Sequence, residues 1–255
     1  MQNTILSGKS TLRVLALDTS TNVLSLGVGV WLDGAAEPQC WLHTGQGAAQ
    51  SSGSMIAAVQ NLLHQADCAL LQLDAIVFGA GPGSFTGLRT ACAVAQGLAL
   101  GANVPVLPMN TLQAVAEDWR MQHQPTLAEG TEVWSLLDAR MHEMYASSWR
   151  WQPVNGLPAW QPVHADCLVA PEQVALLPEL QHAAVRVGNV QAEYGAVLPW
   201  PVDSAMPTAA AMLRLAPVLL QQGHAIDPAL ALPRYVRDKV AQTTAEREAA
   251  KAAAQ

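Results

Sequence analysis

Apolar and polar residues alternate near the start of the chain in a pattern that predicts three consecutive β-strands. The first apolar run ends in a cluster of turn-forming side chains at residues 18–22. In the next segment the larger apolar residues fall on one face, opposite Ser25, Gly27 and Gly29. Asp33-Gly34 then indicates a hairpin turn. The predicted strands are residues 14–17, 23–31 and 40–43.

Downstream, the apolar spacing changes to the period of a helix. At residues 54–66 the larger apolar side chains lie on one helical face. Strand-length and helix-length apolar segments then alternate, so the element order is βββαβαβα. This order predicts a mixed sheet covered by helices, an α/β architecture. The predicted elements are a helix at 54–66, a strand at 74–78, a helix at 84–101, a strand at 104–107 and a helix at 111–121.

The chain then repeats its opening pattern. The segment VWSLLDARMHEMYASSW, which starts at Val133, parallels VLALDTSTNVLSLGV, which starts at Val14, and Asp18 and Asp138 take matching places. Such a duplication predicts two similar lobes that face each other across a cleft. We expect a first lobe at residues 1–130, a second, degenerate lobe at 131–240, and a disordered tail at 241–255, which lacks apolar periodicity. In the second lobe the pattern predicts helices at 171–180 and 208–222 and a strand at 185–187, and it leaves the Pro-rich stretch at 151–162 unassigned.

Charge and composition limit the function. The 255 residues are 51% hydrophobic and carry a formal charge of −7, so the surface as a whole repels a phosphate backbone, and we expect contact with RNA to be indirect. Residues 1–13 lack a signal-peptide pattern, and no apolar run reaches membrane-spanning length, so we expect a soluble, cytoplasmic protein. The cysteines form no C-x-x-C pair, which favours buried free thiols: Cys40, Cys68, Cys92 and Cys167.

The seven histidines show neither H-x-x-x-H nor H-E-x-x-H spacing. Either spacing would place two imidazoles on one helical face. We therefore predict no metal site.

A glycine-rich segment, GAGPGSFTGLR at residues 79–89, leaves a predicted strand and enters a predicted helix. It matches neither the P-loop nor the nucleophile-elbow pattern. Free N–H groups at a helix start attract anions, so this segment is either a phosphate site or a plain strand-to-helix turn. Likewise, Asp18 would either hold a magnesium-bound water or orient a nucleotide phosphate, or it would bond only its own turn. Asp138 and Arg140 would either form a local ion pair at their turn or place Arg140 at the lobe boundary. The candidate nucleotide or cleft residues are Asp18, Thr19, Gly81, Gly83, Ser84, Asp138 and Arg140.

The helix predicted at 84–101 is rich in glycine and alanine on all sides. Glycine within a helix costs about 0.5–1 kcal/mol relative to alanine. Gly87 and Gly97 therefore suggest that another backbone approaches closely. That backbone belongs either to the protein's own sheet or to another chain.

Five segments resemble, in order and spacing, the TsaB (YeaZ) family: LALDTST at 15–21, GPGSFTGLR at 81–89, AQGLA at 95–99, LDAR at 137–140 and PRYVR at 233–237. The resemblance implies the duplicated two-lobe fold of actin, sugar kinases and heat-shock ATPases, which is ribonuclease H-like. It also implies no independent catalysis. Members of this family bind TsaD, which transfers threonylcarbamoyl to adenosine 37 of tRNA, and the ATPase TsaE joins the complex.

In the family, the helices equivalent to 54–66 and 84–101 form the subunit contact. The contact residues carried over by the resemblance are Met55, Val59, Gly87, Arg89, Thr90, Ala91, Val94, Ala95 and Leu98. The same helix would pair two copies when TsaD is absent, and ATP or ADP would bind in the cleft or at the subunit boundary. This chain has Gln50-Ser51-Ser52 where many members carry His-Ser or His-Thr, so a role for that histidine is not carried over.

Two enzymatic alternatives remain at this point. One is an ATP-dependent kinase or ATPase of the same fold that uses Asp18 and the loop at residues 81–84. The other is a glycopeptidase-like hydrolase, which would need a metal pair or an activated nucleophile. Nucleotide turnover by the isolated protein would distinguish the first alternative from a partner subunit.

Overall fold

The computed structural model describes residues 11–32, 35, 37–46 and 52–237. The strands are β1 (Thr11–Asp18), β2 (Val23–Leu32), β3 (Gln39–Gln46), β4 (Ala75–Gly81), β5 (Val106–Asn110), β6 (Glu132–Arg140), β7 (Glu143–Trp151), β8 (Trp160–Val169), β9 (Arg186–Gly188) and β10 (Asp203–Ser204). The helices are α1 (Ser52–Gln65), α2 (Phe85–Ala102), α3 (Thr111–His123), α4 (Pro178–Gln181), α5 (Gln191–Tyr194) and α6 (Ala209–Gln221). Short 3₁₀ helices occur at Leu70–Gln72, Pro171–Leu176 and Pro228–Leu230.

The two sheets have the same topology. The first has the order β3-β2-β1-β4-β5, and the second has the order β8-β7-β6-β9-β10. In each sheet the first three strands are antiparallel and the last two run parallel to the first. The predicted order βββαβαβα and the predicted duplication are therefore confirmed.

Strand alternation sends side chains of the first sheet into two different cores. Leu15 and Leu17 of β1 face α1 and α2, whereas Val14 and Ala16 face α3 and α6. The second core continues into one face of the second sheet, which includes Leu137. The lobes thus share one hydrophobic core, and α3 and α6 lie between the two sheets.

The small residues on one face of β2 are explained by this packing. A Cβ atom added at Gly27 would lie 3.1 Å from Leu213 Cδ1 and 3.2 Å from Ala209 Cβ, both on α6. Ser25 on the same face accepts a hydrogen bond from the Ala209 N–H at 2.8 Å. These residues therefore allow α6 to pack close to the sheet and satisfy one of its free N–H groups.

The second lobe differs from the sequence prediction in detail. The helix predicted at 171–180 is a 3₁₀ helix followed by the four-residue α4. The unassigned stretch at 151–162 contains the end of β7 and the start of β8, and α5 and β10 were not predicted. These short helices cover the outer face of the second sheet, where Trp134, Leu136 and Met144 are buried in one cluster with Leu180 and Tyr194.

Several predictions concern residues outside the described ranges. These are the Asp33-Gly34 turn, the Gln50-Ser51 segment, the N-terminal residues 1–10 and the tail at 241–255. The lobe boundaries at residues 130 and 240 remain predictions. Within residues 11–32, 35, 37–46 and 52–237, no helix combines the length and apolarity that a membrane span requires.

Candidate functional site

A cleft of about 730 Å³ opens between the two lobes. One wall is formed by the turn after β1 and the start of α2, and the other by the hairpin tip between β6 and β7. The last described residues cross its mouth. The lining includes Ser20, Asn22, Gly83, Ser84, Phe85, Asp138, Arg140, Met141, Tyr145, Asn189, Arg234, Tyr235 and Arg237.

The glycine segment begins α2 as predicted. Ser84 is the N-cap, and its Oγ accepts from the Gly87 N–H at 3.5 Å. The Ser84 N–H donates to the Ser20 carbonyl oxygen at 2.6 Å, and a Cβ at Gly83 would lie 2.6 Å from that oxygen. The loop is therefore pressed against the turn after β1. Ser84 is exposed in the cleft, Gly83 is half-buried, and Gly81 is buried.

Asp18 and Thr19 do not reach the cleft, in contrast to the sequence prediction. Asp18 is 1% exposed, and its Oδ1 accepts from the Ser20 N–H at 3.0 Å and the Ser20 hydroxyl at 2.8 Å. No residue that the structure describes bonds its Oδ2 atom. Burial raises the pKa of Asp18 from 3.8 to about 7, although the bonds from Ser20 oppose the rise. Thr19 is fully buried and donates to the Gly87 carbonyl oxygen at 2.7 Å.

This burial decides between the two hypotheses for Asp18. Its Oδ2 points at Gly79, where an added Cβ would collide with it, and Thr111 packs against the same place. The carboxylate therefore has no open side at which a hydrated magnesium ion or a phosphate would fit. The turn-forming role is the one that this geometry supports.

Asp138 and Arg140 lie in the cleft. The Asp138 carboxylate accepts from the Arg140 N–H at 2.8 Å, pairs with its guanidinium at 3.1 Å, and accepts from the Tyr194 hydroxyl at 2.9 Å. Burial, followed by this bond to Asp138, raises the pKa of Tyr194 to about 12. This pair with Asp138 therefore holds the mostly exposed Arg140 side chain at the cleft wall.

Three consecutive residues of the hairpin tip, Arg140, Met141 and His142, have positive φ angles of 61°, 56° and 61°. Such angles are unfavourable for residues with a Cβ, so the tip must be held by its surroundings. His142 pairs with Glu172 at 2.5 Å. The tip thus presents Arg140 and Met141, both mostly exposed, at the cleft mouth.

Sequence analysis did not identify three cleft residues near the end of the described chain. Arg234, Tyr235 and Arg237 line the cleft, although they entered the sequence analysis only through the PRYVR segment. The sequence contained a weak indication of a binding site here, because Arg234 and Arg237 lie close together in an acidic chain with few basic residues. Their partners, Asp166 and Glu143, lie far away in the sequence, so the sequence did not show that these arginines line the cleft.

The predicted contact helices have one buried and one exposed face, and the structure corrects the predicted residues. Met55, Val59, Gly87, Ala91 and Ala95 are buried against the protein's own sheet and cannot form a surface. Arg89 is exposed, and Thr90, Val94 and Leu98 are half-buried. The exposed face of α2 consists instead of Thr86, Arg89, Ala93, Gly97, Leu100 and Gly101.

Two of the four thiols differ from the prediction. All four cysteines are free, and Cys68 and Cys92 are buried, but Cys167 is half-buried and Cys40 is exposed on the edge strand β3. Cys40 lies on the opposite face of β3 from Trp41, which packs against the core that includes α1. Among the residues that the structure describes, no three His, Cys, Asp or Glu side chains are grouped as metal ligands.

Comparison with known proteins gives consistent matches. The family model TsaD, tRNA N6-adenosine threonylcarbamoyltransferase, matches residues 46–195. The tRNA threonylcarbamoyladenosine biosynthesis protein TsaB of Haemophilus influenzae is 34% identical over 238 residues, which cover 90% of this chain and 95% of that protein. The Escherichia coli protein of the same name is 31% identical and covers 90% and 96%.

A solved structure of YeaZ from Pseudomonas aeruginosa superimposes with a TM-score of 0.72 at 30% identity. The match covers 88% of this chain and 99% of that chain. It therefore spans both lobes. Together with the repeated sheet topology, this likeness confirms the predicted duplicated, actin-like and ribonuclease H-like α/β fold.

Proposed function

The chain belongs to the TsaB (YeaZ) family of tRNA threonylcarbamoyladenosine biosynthesis proteins, and we propose that it is the non-catalytic partner subunit in this modification. Its role in forming tRNA threonylcarbamoyladenosine follows from the family. The partner that we propose is a TsaD-like catalytic subunit, which modifies adenosine 37. The observation that carries the partner role is the exposed face of α2.

Between Arg89 and Leu100 the fully exposed positions of α2 are Ala93 and Gly97, which carry little or no side chain. A Cβ added at Gly97 or at Gly101 would meet no heavy atom of the described chain within 4 Å. The packing of this chain therefore does not require glycine at either position. Small residues on an exposed helix allow a second helix to approach closely, because the backbones can come together without intervening side chains.

The match to the TsaD model supports a helix-to-helix contact. It covers residues 46–195, which include α1 and α2. A catalytic subunit described by that model would carry equivalent helices. We propose that α2 of each subunit packs against the other across a pseudo-twofold axis, with Ala93 and Gly97 at the centre of the contact.

The cleft supports a partner role rather than an enzymatic one. Two arginines that line it are paired with carboxylates, Arg140 with Asp138 and Arg237 with Glu143. The kinase or ATPase alternative requires access to Asp18, which is enclosed. Among the lining residues that the structure describes, Asp138 is the one carboxylate, and it is paired with Arg140.

The hydrolase alternative has one superficial candidate in the second lobe. Ser148 Oγ lies 2.8 Å from His164 Nδ1, and Glu132 Oε1 lies 3.5 Å from the same nitrogen. A catalytic triad requires the serine and the carboxylate at opposite ring nitrogens. Ser148 is also fully buried, so this group does not form a nucleophilic site.

The remaining parts of the proposal follow from charge and from the same surface. A TsaE-like ATPase would join the complex, and ATP or ADP would bind at the subunit boundary rather than at Asp18. The net charge of −7 favours tRNA contacts through the other subunits. In isolation the α2 face would pair two copies of this chain. We also propose that the protein works in the cytoplasm, where tRNA is modified.

Reconstitution of the modification tests this function. Unmodified tRNA would be incubated with TsaD, TsaE, the threonylcarbamoyl-adenylate synthase, ATP, threonine and bicarbonate, with and without this protein. We expect modified nucleoside only when the protein is present, and no ATP turnover by the protein alone. Equal modification without it would overturn the partner role, and ATP hydrolysis by the isolated protein would favour the ATPase.

A further inference from the structure

The last described segment, residues 231–237, crosses the mouth of the cleft; we refer to it as the strap. It follows the 3₁₀ helix Pro228–Leu230, which lies beside α2. The Gln96 side chain of α2 donates to the carbonyl oxygens of Pro228 at 2.9 Å and of Ala231 at 3.2 Å. The strap therefore starts from a fixed point on the first lobe.

The strap lies directly on the glycine loop. The Arg234 N–H donates to the Ala80 carbonyl oxygen at 2.6 Å, as an added strand would. Gly81 has a φ of 122°, and a Cβ there would collide with the Arg234 carbonyl oxygen. Glycine at this position thus permits both the turn and the close approach of the strap.

Tyr235 fastens the strap to the start of α2. Its ring stacks on Phe85 with centroids 5.0 Å apart, and its hydroxyl accepts from Arg89 Nε at 3.0 Å. The Arg89 guanidinium also lies 3.8 Å from the Phe85 ring centroid. These three side chains form one cluster over the helix N-terminus.

The strap also binds the second lobe. The Arg237 guanidinium donates to the Glu143 carboxylate and, at 3.1 Å, to the Arg140 carbonyl oxygen, and its side chain is only 13% exposed. Arg234 lies 3.7 Å from the carboxylate of Asp166, which is 5% exposed. The Arg237 contacts are partly buried and charge-assisted, so they are stronger than a surface ion pair, whereas the Arg234 side chain is 62% exposed.

We infer that the strap is a built-in latch that joins the two lobes across the cleft and covers the glycine loop. It occupies the space between this loop and the β6–β7 tip, where a ligand bridging the lobes would lie. The shared core holds the lobes together at the base of the cleft, so the latch determines whether the mouth of the cleft is open or closed. Release of the strap opens the cleft, and the strained tip at Arg140 loses its support.

Hydrogen exchange in the full-length chain tests the latch. The double variant Tyr235→Ala/Arg237→Ala removes one anchor to each lobe, and Arg214→Ala removes a surface arginine whose pair with Glu37 lies far from the strap. We expect the double variant to lose about tenfold or more of the amide protection in the strap, in residues 79–86 and in residues 138–146. The control should retain wild-type exchange in all three segments.

Each other outcome overturns the inference. If the strap exchanges freely while residues 79–86 and 138–146 keep wild-type protection, the strap is a passive cover and not a latch. If the strap stays protected in the double variant, Tyr235 and Arg237 are not its anchors. The melting temperature of each variant, recorded in parallel, would show whether faster exchange reflects global unfolding, which would extend equally to β1, the central strand of the first sheet.

Discussion

Asp18 at the end of β1 and Asp138 near the end of β6 form the same turn, in which each carboxylate accepts a hydrogen bond from the backbone N–H two residues later. Their surroundings have diverged. Asp138 opens into the cleft and has Arg140 as its counter-ion, whereas Asp18 is 1% exposed and has no cationic partner among the described residues. The two lobes thus share the turn, but only the carboxylate of the second lobe has a cationic partner among the described residues.

This difference predicts a pH dependence of stability that Asp18 controls. Burial raises its pKa from 3.8 to about 7, so between these values the folded state binds more protons than the unfolded state. The free energy of unfolding should therefore fall as the pH rises from 4 to 7. Asp18→Asn keeps the bonds from Ser20 without the charge. In urea titrations, its free energy of unfolding relative to that of the wild type should rise by about 2–3 kcal/mol from pH 5 to pH 8.

The matched control is Asp67→Asn, which changes an exposed aspartate. Its stability should follow the wild type in parallel across the same pH range. A wild-type and an Asp18→Asn curve that also run parallel would show that Asp18 is ionised in the folded state throughout.

The same substitution should have opposite effects at two glycines. Gly79→Ala would place a methyl group on the Asp18 carboxylate inside a fully buried strand, with Thr111 Cγ2 at 3.2 Å, and should lower the free energy of unfolding by about 2 kcal/mol or more. Gly97→Ala fills open space on an exposed helix and should raise it by about 0.5–1 kcal/mol. Urea denaturation measures both, and a loss of stability at Gly97 would contradict the open surface.

Partner binding should depend on the exposed face of α2 and not on its buried face. Gly97→Trp should keep the wild-type melting temperature and weaken binding to a TsaD-like subunit by about tenfold or more, because the bulky ring separates the helices. Ala95→Trp should instead destabilise the protein, because Ala95 has no exposed surface. Calorimetric titration and thermal melts separate the two effects.

Ala192→Trp, on an exposed position of α5 in the second lobe, controls for the added ring. It should bind the partner normally. If Gly97→Trp also binds normally while folded, the interface lies on another surface.

Breaking the buried ion pair of Glu117 and Arg120, both on α3, should strongly destabilise the protein. Glu117 of α3 is fully buried and receives two hydrogen bonds from the Arg120 guanidinium, at 2.6 and 2.8 Å, and one from the Trp160 indole at 3.0 Å. The guanidinium also lies 4.4 Å from the Trp151 ring centroid. Glu117→Gln would leave this charge buried without its counter-ion, and it should cost about 3–5 kcal/mol in urea titrations at pH 7.

The exposed pair between Arg214 and Glu37 supplies the comparison. Glu37→Gln should change the free energy of unfolding by less than about 1 kcal/mol, because solvent screens that pair. Similar losses in both variants would mean that the Arg120 charge is solvated when Glu117 is neutralised.

Periodicity alone determined much of the first lobe and the existence of the second. The alternation in β2 showed which residues share a face, and the repeat of the β1 pattern at β6 predicted two sheets with matching aspartates. These features depend only on neighbouring residues, because side chains two apart along a strand must share a face. The start of α2 after the glycine segment was predictable because that segment joins a strand-length apolar run to a helix-length one.

Only the tertiary structure decided which side of α2 is buried, how deep Asp18 lies and what covers the cleft. The helix carries small residues on both sides, so its sequence does not distinguish Ala95 in the core from Gly97 on the surface. Arg89 and Tyr235 meet although they are 146 residues apart. Burial and such long-range contacts depend on how whole elements pack, and a local pattern of polar and apolar residues carries no information about that packing.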